Sequence, residues 1–256
     1  MKHILLFSFL SCLFLTQSLN SQSFYIKLGG GYSLSANTSV ISNNVSHDTS
    51  MIEGQYGSYG EGIYPSFGFG YLFNNNIGIE VNGSYLIGKK FNHEHTENGL
   101  TETHDKWGEG ILISPSIIIQ APMKNITPYA RFGGVVGLVK VKEKETESGT
   151  GARTGSNKTE HSGNFGLGMN GALGIMFNAG KRIKIFAELH GQGINYGPEK
   201  RENTEAFSGE TPDPTIIYED EFAVNAANTV LRPRFPFSSF GLNVGITVNF
   251  GKTKAK

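Results

Sequence analysis

With 256 residues, the chain is long enough for one large β domain or two smaller ones. Lysine plus arginine equals aspartate plus glutamate at 22 each, which excludes a net basic field for nucleic acid and a net acidic field for a basic partner. Glycine is frequent at 34 residues, aromatics reach 11%, and charged residues make up only 17%, below the roughly 25% usual in soluble domains.

The N-terminus, MKHILLFSFLSCLFLTQSLNSQ, places Lys2 before an apolar run from Ile4 to Leu15, then small and polar residues. That order predicts a secretory signal peptide cleaved after Ser18 or Ser21. The run is short of the roughly 20 residues that a spanning helix needs. Cys12 lies inside it, so the mature chain is predicted to carry no disulfide. Beyond it, the best apolar stretch, ILISPSIII (111–119), is too short to span and is broken by Pro115. A chain of this kind can cross a membrane only as a closed barrel. The predicted organisation is a signal peptide over 1–21, a barrel over 22–251 and a short tail over 252–256.

Eight segments alternate apolar and small or polar residues, the two-residue period of a strand. They run over 23–35, 63–73, 77–87, about 109–120, about 127–142, about 164–177, about 183–193 and 238–250. In the last, Phe240, Leu242, Val244, Ile246, Val248 and Phe250 share one face. Short turns, NNN (74–76), APMKN (121–125) and NAGKR (178–182), alternate with long gaps over about 36–62, 88–108, 143–163 and 194–237. That asymmetry predicts an all-β fold: an eight-stranded antiparallel up-and-down transmembrane β-barrel, with short periplasmic turns and long extracellular loops. Pro65 and Pro115 each remove a ladder donor, which is awkward within a strand, and a bulge would resolve either one. Residues 140–163 are charged and glycine-rich, and predict a flexible loop or a frayed hairpin extension.

The polar phase separates this barrel from a soluble, lipocalin-like one. It carries mostly Gly, Ser and Asn, such as Gly29, Ser66, Gly70, Asn82 and Gly174, which suit a crowded lumen better than a wet outer face. Lys27, Glu80, Arg131, Lys184 and Glu188 fall on that phase, near the short-turn end and of mixed sign. They predict a polar plug paired across the lumen, with His190, Gln192 and Asn243 nearby.

The segments ITPYARFGGVVGLV (126–139), IKIFAELHG (183–191) and FGLNVGITVNF (240–250), with the signal peptide, resemble the small outer-membrane β-barrel superfamily of the OmpA transmembrane domain, OmpX, OmpW and the opacity proteins. The resemblance covers the mature chain and implies architecture rather than activity. It implies that Phe250 is the terminal aromatic read by the barrel-assembly machinery, although GKTKAK follows it. The implied setting is the bacterial outer membrane, with loops extracellular and termini periplasmic. The implied partners are outer-membrane lipid, lipopolysaccharide, and an extracellular ligand or host surface.

Other motifs carry less. GLGMNG (166–171) matches a dinucleotide fingerprint but lacks a following helix, and reads as lumen glycines alternating with Phe165, Leu167 and Met169. His93, His95 and His104 are weak metal candidates in a loop that reads more simply as solvated and mobile. Asp213, Glu219, Asp220 and Glu221 are calcium candidates, with a plain acidic loop the simpler reading. His190 is the mid-strand histidine, and the His161–Ser162 pair lies at a loop edge; neither makes a convincing triad. The chain is therefore read as no enzyme and as needing no cofactor. Its expected role is structural or surface-interactive. A narrow conduit for small apolar molecules, as the OmpW resemblance implies, and a soluble binding barrel are the alternatives.

Overall fold

The structure, a computed structural model, describes residues 22–36, 39–46, 51–221 and 227–250. The predicted signal peptide and tail lie outside them. The strands in the first half are β1 (Ser23–Ser35), β2 (Ser39–Ser46), β3 (Met51–Gly57), β4 (Gly62–Leu72), β5 (Ile77–Gly88), β6 (Phe91–Glu97) and β7 (Leu100–Gln120). Then come β8 (Ile126–Gly149), β9 (Asn157–Ser162), β10 (Gly166–Asn178), β11 (Ile183–Tyr196) and β12 (Lys200–Glu205). The last are β13 (Ile216–Glu219), β14 (Thr229–Leu231), β15 (Phe235–Pro236) and β16 (Ser239–Asn249).

Eight of these close a ring in the order β1, β4, β5, β7, β8, β10, β11, β16, with β16 returning to β1, and every neighbouring pair is antiparallel. These are the eight segments expected from the alternation. Directly opposed residues lead from Tyr25 through Gly70, Glu80, Ser116, Gly133, Asn170, Gln192 and Ser239 back to β1 at Ser35, a shear of ten residues (25 to 35). With a rise of about 3.3 Å and a strand spacing of about 4.8 Å, this shear tilts the strands by about 40° and gives a radius of about 8 Å. Such a lumen is filled by side chains.

Outward positions are apolar and exposed: on β10, Leu167, Met169 and Leu173, and on β16, Phe240, Leu242 and Val244. From Phe165 to Phe177 the outward series rises about 30 Å at that tilt, the thickness of a bilayer's hydrocarbon core. The prolines are accommodated without a bulge. The β4–β5 register is the same on both sides of Tyr64–Pro65, and the β7–β8 register on both sides of Ser114–Pro115. Each proline drops out of one ladder and stays paired in the other, with Gly30 and Val81 respectively. A missing N–H matters only on the side to which it points.

The long-loop end departs most from expectation. β7 and β8 continue past the barrel as a ladder up to the Leu100–Gly149 pair. β6 is added on one side, and β9, β12, β13 and β14 on the other. The predicted mobile loop over 93–107 is thus a β-hairpin arm, and 140–149 and 157–162 form the hairpin extension. β2 and β3 pair as a separate hairpin. Inside the barrel, two apolar clusters lie at different heights. One, under the long loops, gathers Tyr59, Tyr64, Leu86, Leu112, Tyr196 and Phe237 among others. The other, towards the short turns, gathers Tyr25, Leu72, Ile118, Tyr129, Met176 and Phe186. The lumen phase was expected to be mostly Gly, Ser and Asn; its two ends carry apolar clusters as well.

Candidate functional site

Between the two clusters lies a charged layer, built by the same short pattern twice. β1 presents Tyr25 and Lys27 inward, and β8 presents Tyr129 and Arg131. In one half, Tyr25 stands opposite Gly70 on β4, which stands opposite Glu80 on β5. In the other, Tyr129 stands opposite Gly174 on β10, which stands opposite Glu188 on β11. Each tyrosine ring lies over its glycine, where a Cβ would fall inside the ring. Only a glycine leaves the ring flat against the wall, with its hydroxyl at the carboxylate one strand further on. The Tyr25 hydroxyl donates to Glu80 Oε2 at 2.7 Å, and the Tyr129 hydroxyl donates to Glu188 Oε2 at 2.7 Å.

The two halves are joined by ions. Lys27 Nζ donates to Glu188 Oε2 at 2.8 Å and lies 3.5 Å from Glu80 Oε1. Arg131 Nη2 donates to Glu188 Oε1 at 3.0 Å, and its Nε lies 3.7 Å from Glu80 Oε1. Asn243 Nδ2 adds a bond to Glu188 Oε1 at 3.1 Å, and Lys27 Nζ sits 4.4 Å from the centre of the Phe186 ring. All four charged side chains are buried, and their charges cancel. That balance is what a narrow interior requires, because an unpaired charge there carries its full desolvation cost.

The structure therefore brings together Lys27, Glu80, Arg131 and Glu188, with Asn243 against them. His190 lies one layer nearer the long loops. Its Nε2 is 2.8 Å from Ser33 Oγ, and its ring meets Tyr64 edge-on at 6.1 Å. Gln192 Nε2 donates there to Tyr64 Oη at 3.0 Å and to Ser239 Oγ at 3.1 Å. The Ser33–His190 pair lacks a third group to orient the ring, and Ser33 is buried, so it offers neither an activated nucleophile nor access. Lys184, expected to pair across the lumen, does not reach the cluster: it is half-buried at the short-turn mouth, opposite Asn178 and Thr247. A cavity of about 30 Å³ adjoins the charged layer. Ser66 Oγ, Asn82 Oδ1, Asn243 Oδ1 and His190 Nδ1, which have no hydrogen-bond partner among the described residues, belong to its lining, and it has room for one or two bridging waters.

The sequence reading missed Tyr25 and Tyr129, the carboxylates' hydroxyl donors. The signal was present: both stand two residues before a lumen cation, as Tyr-x-Lys and Tyr-x-Arg, and so share its face. Phe250 follows β16, is exposed, and its N–H donates to Phe24 O at 2.8 Å.

The metal candidates are not assembled. His93 faces His104 across the β6–β7 pair with ring centres 6.3 Å apart, but His95 faces Glu102. Among the described residues, no group of three or more His, Cys, Asp or Glu is placed to hold an ion. Of the calcium candidates, Asp220 is taken by Arg232 at 2.9 Å and Arg234 at 3.2 Å.

No protein-family model matches the sequence, and no curated protein does. Solved structures do match in shape. A major outer membrane protein from Thermus thermophilus superposes with a TM-score of 0.50 at 8% identity, over 90% of this chain and 99% of that one. The outer membrane protein OprG from Pseudomonas aeruginosa gives 0.45 at 13% identity, over 91% and 97%. Neisserial surface protein A gives 0.43 at 11%, over 89% and 97%. At 8% identity the likeness to the Thermus protein is one of architecture alone, and together with the closed ring of eight antiparallel strands it gives the chain the fold of an outer-membrane β-barrel.

Proposed function

We propose that the chain is an integral outer-membrane β-barrel with a closed lumen, whose work is structural or surface-interactive and is done by its long-loop sheet. The carrying observation is the outward face. From the short turns up to Ile111 on β7 and Leu138 on β8 it holds no charged residue, while the four buried charges of the wall, Lys27, Glu80, Arg131 and Glu188, point inward and cancel. A Lys or Arg at the midplane of the lipid face costs about 2–4 kcal/mol, so such a face fits hydrocarbon. Short turns and termini then lie in the periplasm and the long loops outside. Phe250 serves the barrel-assembly machinery, lipopolysaccharide and lipid surround the wall, and an extracellular ligand or host surface meets the sheet of β6 to β14. The charged layer and the apolar cluster above it argue against a conduit for small apolar molecules.

Membrane fractionation, followed by gel migration of boiled against unboiled protein, tests the barrel. The expected result is outer-membrane location with a heat-dependent shift; a soluble protein with no shift overturns it. Planar-bilayer recording tests the closure. The native protein is expected to be silent, and Glu80→Gln or Arg131→Gln to give opening events. Reproducible conductance by the native protein would sink the closed lumen.

A further inference from the structure

The net charge of zero conceals a polarity along the barrel axis. Of the 22 acidic residues, Glu80 and Glu188 face the lumen, and every other one lies in a long connection or in the strand parts beside it. The short-turn end has none. It carries Lys124 in the β7–β8 turn, Lys181 and Arg182 in the β10–β11 turn, and Lys184 at the lumen mouth. The sequence adds Lys252, Lys254 and Lys256 after β16.

Pairing largely follows the same divide, although Lys90, Lys144 and Arg201 at the long-loop end also lack an ion pair among the described residues. At the long-loop end Lys89 binds Glu61 at 2.9 Å, Lys106 binds Glu143 at 3.1 Å, Lys140 binds Glu160 at 2.8 Å and Arg232 binds Asp220 at 2.9 Å. Lys124, Lys181, Arg182 and Lys184 have no side-chain partner among the described residues, and the first three are exposed. They are set among exposed apolar side chains: Met123 beside Lys124, and Phe177 and Ile183 on either side of Lys181 and Arg182. A cation set beside an apolar outward residue stands where hydrocarbon gives way to headgroups.

We propose that the short-turn end is a binding surface for the anionic phosphates of phospholipid headgroups in the adjoining leaflet, with Lys124, Lys181 and Arg182 as its contacts. This rests on the membrane-barrel reading above. Uniform sign, absence of internal partners and position at the edge of the apolar band all favour a lipid over an acidic polymer of the periplasm, which would need no flanking apolar side chains. Each cation near an anionic surface contributes about a fivefold gain in affinity.

The test uses the folded full chain in zwitterionic micelles, titrated with dioctanoyl-phosphatidylglycerol, dioctanoyl-phosphatidylcholine or inorganic phosphate, with amide resonances of residues 121–125 and 179–182 as the readout. Phosphatidylglycerol is expected to shift them, and Lys124→Gln, Lys181→Gln and Arg182→Gln to weaken its binding about fivefold each. Equal shifts by phosphatidylcholine, equal shifts by inorganic phosphate, or an unchanged affinity in the triple variant would each overturn the proposal. So would triple-variant-sensitive retention on purified peptidoglycan without lipid preference. Heat-dependent gel mobility of every sample separates the two failures. A shifted barrel without lipid preference refutes this surface alone, whereas no shift refutes the barrel reading beneath it.

Discussion

The two lumen carboxylates look alike in sequence, and the structure predicts that they are not equivalent. Both are fully buried, so their desolvation costs largely cancel in a comparison. Glu188 has Lys27 at 2.8 Å and Arg131 at 3.0 Å, while Glu80 has the same two cations at 3.5 and 3.7 Å. At an effective dielectric constant of about 20, those distances favour Glu188 by about 2 kcal/mol. Hydrogen bonds add to the difference: each carboxylate accepts from one tyrosine, but Glu188 also accepts from Asn243, whereas Glu80 Oε1 accepts none. Removing one partner of a buried ion pair costs about 3–5 kcal/mol. Glu188→Gln should lie at the upper end of that range, and Glu80→Gln about 2 kcal/mol lower. The assay is urea unfolding of the barrel in phospholipid vesicles, with the folded fraction read from unboiled gel mobility. Adding Lys27→Met to Glu188→Gln leaves Arg131 and Glu80 as a neutral pair, so the double variant should be more stable than the two single losses added together, by at least about 1 kcal/mol. Equal costs for the two carboxylates, or strictly additive singles, would refute the ion-cluster reasoning.

Two further outcomes follow from the same geometry. Gly174→Val places side-chain atoms inside the Tyr129 ring and should cost about 3 kcal/mol by overpacking and loss of the bond to Glu188. Gly171→Val, outward on the same strand with its nearest non-neighbouring atom 3.6 Å from the new Cβ, should stay within about 0.5 kcal/mol in the same urea assay. In the loop sheet, burial raises the pKa of Glu143, but His161 and Lys106 overcome that and hold it down at about 2. A depressed carboxylate stabilises above its unfolded value and loses that contribution as pH falls through the folded one. The contribution, about 1–2 kcal/mol after allowance for partial exposure, should therefore vanish between about pH 4.5 and 2. Fluorescence of Trp107, the chain's one tryptophan and the neighbour of Lys106, reports it during urea unfolding at several pH values. The native transition should move to lower urea over that window, and the Glu143→Gln transition should not.

The barrel was legible because lipid and lumen impose opposite demands on alternate residues. Where both faces are wet that contrast disappears, which is why TETHDKWG (101–108) reads as a loop and EKETESG (143–149) as a flexible loop or a frayed hairpin extension, although both lie in one continuous ladder. Their strand character comes from the partner strand, not from a local pattern. Most of the charged layer was legible from phase and sign, but Lys184 was not, because phase gives the face and not the height at which a long side chain finds partners. Tyr25 and Tyr129 escaped because a lumen aromatic needs a glycine on the neighbouring strand, and that pairing depends on register.

Register is also where the charged layer bears on the fold itself. Alternation specifies only parity: a slip of one residue turns the apolar set inward, but a slip of two keeps every side chain on its proper face. Something else must choose among registers that differ by two. Here Tyr25 on Gly70, Tyr129 on Gly174 and Phe186 on Gly245 each put a ring directly opposite the residue without a Cβ. A two-residue slip between β8 and β10 would put Tyr129 opposite Ala172 or Met176, where a side chain already occupies the seat. It would also carry the Tyr129 hydroxyl and Arg131 away from Glu188 along the strand by about 7 Å. Inward glycines, tyrosines and ions thus act together as the register code that apolar alternation cannot write.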